Sequence, residues 1–314
     1  MAIGRNIYRG HKKRKVWPFV LVGIIFLSLG YLGFKENYLN KNENLKNGTE
    51  KEKNMKDIIQ KPITKKQTEG IIASIESYLN NQVGTYGYHV IELNDGRSFG
   101  KRDDSYYVAA STIKVAIFTY LYNQIEAGKI NESTILTYTN ADYEGGTGTL
   151  LADPIGTKYK VSYLAERMIV VSDNVATNIL IRKLGRTNIQ NYLNNNGLSE
   201  IKFSTNDVTP RGMAKLLEKI YFNKLISKKN TDLLFGYMKK SITPTRLVSG
   251  VPKNVEVAHK IGSWSGAMSD IGIVFYKERP YIIVVYSDGV AWGEVTDAVI
   301  AEISKKIYDF ERSF

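Results

Sequence analysis

AASTIKVAIF, residues 109–118, sets a serine and a lysine three positions apart where an apolar helical pattern begins. Residues i and i+3 of a helix are neighbours, so the Ser111 hydroxyl and the Lys114 ammonium can meet. Val115, Phe118, Leu121, Tyr122 and Ile125 continue an apolar set around that turn, which places Lys114 partly inside the fold. Burial disfavours a charged amine and lowers its pKa, making it able to take a proton from a hydroxyl. A serine near a helix N-terminus also has unpaired N–H groups and the positive dipole end beside it, which stabilise a developing oxyanion. A capping serine with a snorkelling lysine gives the same local pattern, and S-x-x-K alone does not separate the two.

Working outward, Ile71, Ile72, Ile75, Tyr78 and Leu79 fall on one helical face, and TYGYHVIEL reads as a strand ending at the turn NDG, 94–96. A hairpin is expected through RSFGKRDDSYYVA, and helices over 111–127, 161–184 and 210–222. Strands IGIVFYK and YIIVVYSDG flank the turn ERP, and a last helix is expected to turn Val295, Val299, Ile303, Ile307 and Phe310 inward. The strands come from both chain ends and are joined mostly by hairpins. That order predicts an α+β fold (α/β in the broad sense): an antiparallel sheet with the terminal helices on one face and an inserted helical subdomain.

The 314 residues and 43% hydrophobic composition suffice for a core without staples, and zero cysteines exclude disulfides, thiolate catalysis and cysteine metal clusters. Any nucleophile is an oxygen or a nitrogen. The formal net charge of +12 is concentrated in the N-terminal tail: residues 1–66 hold 15 Lys+Arg against 5 Asp+Glu, the remainder 28 against 26. With no RNP-like or zinc-finger pattern after the tail, no nucleic-acid partner is expected. No metal site is expected either, since His11, His89 and His259 are the chain's only histidines.

Six basic residues between Arg5 and Lys15 precede VWPFVLVGIIFLSLGYLGF, residues 16–34, which carry no charge. At about 1.5 Å per residue this run spans roughly 28 Å, close to a bilayer's hydrocarbon thickness. The expected organisation is a basic cytoplasmic tail (1–15), a transmembrane anchor (16–34), a flexible Lys/Asn/Glu-rich linker (35–66) and a globular domain outside the cytoplasm (67–314). A cleaved signal peptide is the alternative, with only the weak Ser28-Leu29-Gly30 as a cleavage site.

Two further patterns matter. VVSDNVATNIL, 170–180, puts Ser172, Asp173 and Asn174 at or near a break in an apolar helical segment, where buried polar groups need partners. VEVAHKIGSWSGAMSDIGIVF, 255–275, places Lys260 and Gly262 on a strand, with a glycine that lets a ligand approach the backbone.

With STIK, SDN and a lysine–glycine strand in this order, and Thr209-Pro210 and GVP at 250–252 between the second and the third, residues 67–314 resemble the class A β-lactamases and the related penicillin-binding D,D-peptidases. The resemblance implies a three-layer domain with an all-helical subdomain, and a serine hydrolase that forms an acyl-enzyme on β-lactams or peptidoglycan peptides ending in D-Ala-D-Ala, without a cofactor. It implies Ser111 as nucleophile and Lys114 as its base or relay. Ser172, linked to Lys260, would return the proton to the leaving nitrogen. Asn174 would hold the substrate's side-chain amide, the N–H groups of Ser111 and Ser263 would form the oxyanion hole, and Gly262 would belong to the substrate strand.

The chain departs from that pattern twice. No E-x-x-L-N occurs between Asn196 and Thr209, where the family's deacylating glutamate is found; Glu200 is the one glutamate there and is expected to be a solvated loop residue. The middle of K-T-G is Ile261, which has no hydroxyl; Ser263, of the same strand parity, could stand in. Acylation with slow release is therefore expected. A true β-lactamase with a relocated base is one alternative, a non-catalytic β-lactam or wall-fragment receptor another. His259 is expected to support the site from its strand, Arg246 to be solvated, Tyr143 to pack in the core or on the surface, and Asp270 to satisfy a local turn.

Overall fold

The segments Thr85–Glu92 and Tyr281–Asp288 are rich in Val, Ile and Tyr, which favour extended backbone, and in the computed structural model they lie side by side in one antiparallel sheet. Residues 63–277 and 279–314 are described, and Ile63–Phe314 form one compact unit. The expected tail, anchor (16–34) and nearly all of the linker lie outside the described residues; among the described ones no helix is long and apolar enough to cross a membrane.

Ten strands are described: β1 (Thr85–Glu92), β2 (Ser98–Lys101), β3 (Tyr107–Val108), β4 (Ile135–Thr137), β5 (Lys158–Lys160), β6 (Ile201–Lys202), β7 (Asp207–Val208), β8 (Val257–Trp264), β9 (Ala267–Val274) and β10 (Tyr281–Asp288). The eight described helices are α1 (Lys65–Leu79), α2 (Lys114–Glu126), α3 (Val161–Val170), α4 (Asn174–Leu184), α5 (Arg186–Asn195), α6 (Pro210–Tyr221), α7 (Lys228–Lys239) and α8 (Glu294–Glu311). The main sheet runs β2-β1-β10-β9-β8, so the first and last described strands pair within it. Register is continuous: Val285 of β10 stands opposite Tyr88 on one side and Asp270 on the other. Among the described residues strand β8 is an edge, paired with β9 alone.

Three layers follow from which side chains the strands bury. On one face Tyr88, Val90, Ile283 and Val285 pack against Ile71, Ile75 and Leu79 of α1 and Val299, Ile303 and Ile307 of α8. On the other, Ile271, Ile282, Val284 and Tyr286 join the core of the helical insert. Helix α1 starts at Lys65, where the Thr64 hydroxyl accepts from Gln67 N and the Gln67 side chain accepts from Thr64 N.

Several expectations are corrected. Only Ser98–Lys101 of the expected hairpin pairs with β1, whereas Tyr107–Val108 leaves to pair with β7 in a small separate sheet. The 161–184 helix is two helices, broken at 171–173 where Asp173 caps α4. Helices α5 and α7 carry few buried apolar residues, which left their periodicity too sparse to read. Val295, expected inward, is 73% exposed; in that first turn of α8 the buried side chain is Thr296.

Candidate active site

Ser111 lies in a 3-10 turn, Ala110–Ile113, that leads into α2, and Lys114 is the first α2 residue. Thr112 fastens this turn: its hydroxyl lies 2.6 Å from both Ala109 O and the Tyr286 hydroxyl of β10. Ala109 N donates to Asn206 O at 2.8 Å. Thr112 N is the first amide bonded within the turn, so the Ser111 N–H precedes the ladder and is left for a ligand. Ala110, directly before the nucleophile, has φ +46°, a left-handed conformation that costs a non-glycine residue on the order of 1–3 kcal/mol. Ser172 (φ +57°) and Arg246 (φ +56°) share that conformation and line the same cleft.

The cleft has a volume of about 850 Å³ and brings together Ser111, Lys114, Ser172, Asn174, Lys260 and Ser263, six of the seven residues singled out by sequence. Its rim carries Ile242, Trp264 (60% exposed) and Trp292 (71% exposed).

Lys114 is only 3% exposed and Lys260 only 2%. Lys114 Nζ donates to Ser172 O (2.7 Å), Ser172 Oγ (3.1 Å) and Asn174 Oδ1 (2.7 Å). Lys260 Nζ donates to the same Ser172 Oγ at 3.0 Å and to Ile261 O at 3.2 Å. Both lone pairs of the Ser172 hydroxyl are thereby occupied, and its single O–H is left to donate into the cleft. Burial pushes the Lys114 pKa well below the usual lysine range, and the neighbouring Lys260 charge lowers it further. Burial likewise brings Lys260 down to about 7, with Asp270 opposing the fall and Arg246 adding to it. Two ammonium groups on one hydroxyl repel, so one of the pair is readily neutral near neutral pH.

The expected contact between Ser111 and Lys114 takes a different form: among the described residues no hydrogen bond joins Ser111 Oγ to Lys114 Nζ. A cationic Lys114 has spent its three donors elsewhere. Loss of one proton frees a lone pair, and without substrate such contacts are commonly loose. Asn174 differs too, because its Nδ2 donates to Gly145 O at 2.8 Å. A substrate carbonyl must compete for that group.

Gly262 is needed for a reason other than ligand approach. A Cβ there would lie 2.6 Å from Ser269 Oγ, 2.7 Å from Ala109 O and 3.2 Å from Thr112 Cγ2. The missing side chain lets the Ser111 turn press directly onto β8.

Arg246, expected to be solvated, is 3% exposed. It donates to Asp297 Oδ1 (2.7 Å), Gly262 O (2.7 Å), Ser269 O (2.6 Å) and Ser263 Oγ (2.7 Å). It thus orients the Ser263 hydroxyl and adds positive charge under the cleft. Asp270 accepts from Leu247 N at 3.2 Å and pairs with His259 Nδ1 at 2.9 Å, a longer-range role than a local turn. Tyr143, 64% exposed, lies on the surface. Glu200 accepts from the Thr209 hydroxyl, which caps α6, and lies 3.5 Å from Arg211; it does not line the cleft. Asp173, not singled out by sequence as a site residue, accepts from Ala176 N (2.9 Å), Thr149 N (2.6 Å) and Leu150 N (2.9 Å), fixing the SDN turn against residues 144–150.

The sequence profile of the beta-lactamase enzyme family matches residues 70–310. The chain belongs to that family. It is similar to Beta-lactamase VEB-1 of Pseudomonas aeruginosa, at 24% identity over 78% of this chain and 91% of that protein. Beta-lactamase 3 of Bacillus cereus is 25% identical over 76% of this chain and 79% of its own length. Among solved structures PBP-A superposes with a TM-score of 0.74 at 25% identity, covering 78% of this chain and 97% of that one. A mutant of PBP-A, solved as an acyl-enzyme complex with penicillin G, gives the same figures. Family and fold neighbours make the chain a serine hydrolase acting on amide bonds.

Proposed function

We propose that this member of the family is a penicillin-binding, D,D-peptidase-like enzyme that acylates Ser111 readily and releases the acyl group slowly. The observation that carries the reading is the convergence of two buried, pKa-lowered lysines on the Ser172 hydroxyl, in the cleft that Ser111 lines. In acylation, Ser111 Oγ attacks the carbonyl carbon of a β-lactam or a D-Ala-D-Ala terminus and neutral Lys114 takes its proton. The N–H groups of Ser111 and Ser263 receive the oxyanion. Ser172 gives its proton to the leaving nitrogen and is resupplied by Lys260 or Lys114, and the substrate carboxylate lies toward Lys260 and the Ser263 hydroxyl that Arg246 orients.

Slow release is supported by the missing E-x-x-L-N and by Glu200 being engaged at the α6 cap outside the cleft. A well-placed general base is worth roughly 100- to 10,000-fold, so the absence of the family's glutamate from that stretch slows hydrolysis. In the same reading residues 16–34 hold the enzyme in the cell membrane, with the domain on the outer side where wall peptides are found.

The test is intact mass against time after adding benzylpenicillin, with Ser111→Ala beside the wild type. A lasting adduct on the wild type, absent from S111A, is expected. Drug consumption at rates typical of β-lactamases, with no adduct, overturns slow release; no adduct and no consumption overturns the acyl-enzyme reading.

A further inference from the structure

Whatever hydrolysis ends the acyl-enzyme needs a proton acceptor for water. Among the described residues two carboxylates line the cleft, Glu144 and Asp297. Asp297 is engaged at 2.7 Å with Arg246. Glu144 faces a hydrogen-bond donor of no charge, accepting from Asn178 Nδ2 at 2.7 Å. Asn178 is one turn along α4 from Asn174.

The loop that carries Glu144 is clamped. Asn174 Nδ2 donates to Gly145 O (2.8 Å), Asn174 N to Thr147 O (3.1 Å) and Thr147 Oγ1 to Ser172 O (2.6 Å). Gly148, at φ +108°, sits so close that a Cβ would lie 2.2 Å from Asp173 Oδ2. Glu144 is thus held against the SDN turn, and the path from its backbone runs through Gly145 and Asn174 Oδ1 to Lys114 Nζ, a 2.7 Å contact. Its negative charge acts on Lys114, favouring the protonated amine. A protonated Lys114 is what the second half-reaction requires, since the departing serine oxygen must receive a proton.

We propose that Glu144 is the catalytic base of deacylation, entering the cleft from the 144–148 loop rather than from the stretch before Thr209. The Glu144 carboxylate takes a proton from a water, whose oxygen bonds to the ester carbonyl carbon. The bond from that carbon to Ser111 Oγ then breaks, and Oγ receives the proton of Lys114. The product acid leaves, and the proton on Glu144 returns to solvent, to which the residue is exposed. That exposure leaves the water poorly sheltered and places the gain near the lower end of general-base catalysis, about 100-fold. Slow release and a working base are thereby compatible.

The inference rests on the acyl-enzyme reading, and the experiment separates the two. Wild type, Glu144→Gln and Glu144→Asp are pulsed with benzylpenicillin, and both adduct decay and penicilloate release are followed across pH. The expected result is acylation in E144Q no slower than in wild type, since losing the charge favours neutral Lys114, with decay slowed by about 100-fold, partial recovery in E144D, and loss of the acid limb that a carboxylate base gives the wild-type decay profile. Equal decay in E144Q and wild type, an unchanged pH profile, or a wild-type adduct that never decays overturns the role of Glu144 and leaves the acyl-enzyme standing. A wild type that forms no adduct and releases no penicilloate overturns both.

Discussion

Lys260→Met tests whether the cleft holds a destabilising charge for the sake of its chemistry. Lys260 titrates at about 7 in the folded chain, against about 10.4 for an unfolded lysine. Between these values the unfolded chain binds more protons than the folded one, so stability rises with pH and is lowest below about pH 7. At about 1.4 kcal/mol per pKa unit the full penalty is about 5 kcal/mol, of which about 2 kcal/mol is recovered between pH 7 and pH 9. Methionine keeps the unbranched shape and cannot take a proton, so K260M lacks this slope. It also relieves Lys114 of a like charge, which flattens the variant's own curve further. Urea unfolding followed by circular dichroism is expected to show K260M at least as stable as wild type at pH 7, with wild type gaining about 2 kcal/mol relative to it by pH 9. Acylation by benzylpenicillin is expected to fall by about 100-fold or more, since the hydroxyl relay loses a donor. Parallel stability curves for the two proteins would refute the buried-charge argument.

Gly262→Ala puts a methyl against Ser269 and the Ser111 turn; it is expected to cost about 1–3 kcal/mol and to slow acylation, checked by thermal melting and adduct formation, and unchanged acylation would show that the turn does not depend on this contact. Glu200→Gln weakens only the support of the Thr209 cap, so a loss of no more than about 1 kcal/mol is expected, with adduct lifetime unchanged; a prolonged adduct would make Glu200 a base.

The parts of the site legible in the sequence were those encoded by short spacing. Ser111 and Lys114 are three apart, SDN is contiguous, and Lys260 and Gly262 share a strand, so each motif could be read locally, and the fold brings Ser111, Lys114, Ser172, Asn174 and Lys260 into one cleft. Strands β1, β9 and β10 were legible because each is eight residues long and carries β-branched or aromatic side chains, and the terminal helices because their apolar faces repeat over several turns. What escaped depends on contacts between distant segments. Nothing around Arg246 marks it as buried, since its partners Asp297, Ser263 and Ser269 come from α8, β8 and β9. Gly262 was recognised as a close-approach glycine, but the approaching group is the 3-10 turn of Ser111, about 150 residues earlier in the chain. The left-handed backbone of Ala110 and Ser172 has no sequence signal, because neither residue type favours it. Glu144 lies in a glycine-rich loop without helical or strand periodicity, and only the fold brings it beside Asn178.

Two of the chain's three tryptophans, Trp264 and Trp292, stand on the rim of the cleft, and the third, Trp17, lies outside the described residues. An indole moved from water to the side of a bound molecule changes the colour and yield of its emission. Occupancy of the cleft is therefore written into the protein's own fluorescence, so that encounter and departure of an unlabelled substrate can be timed directly by light.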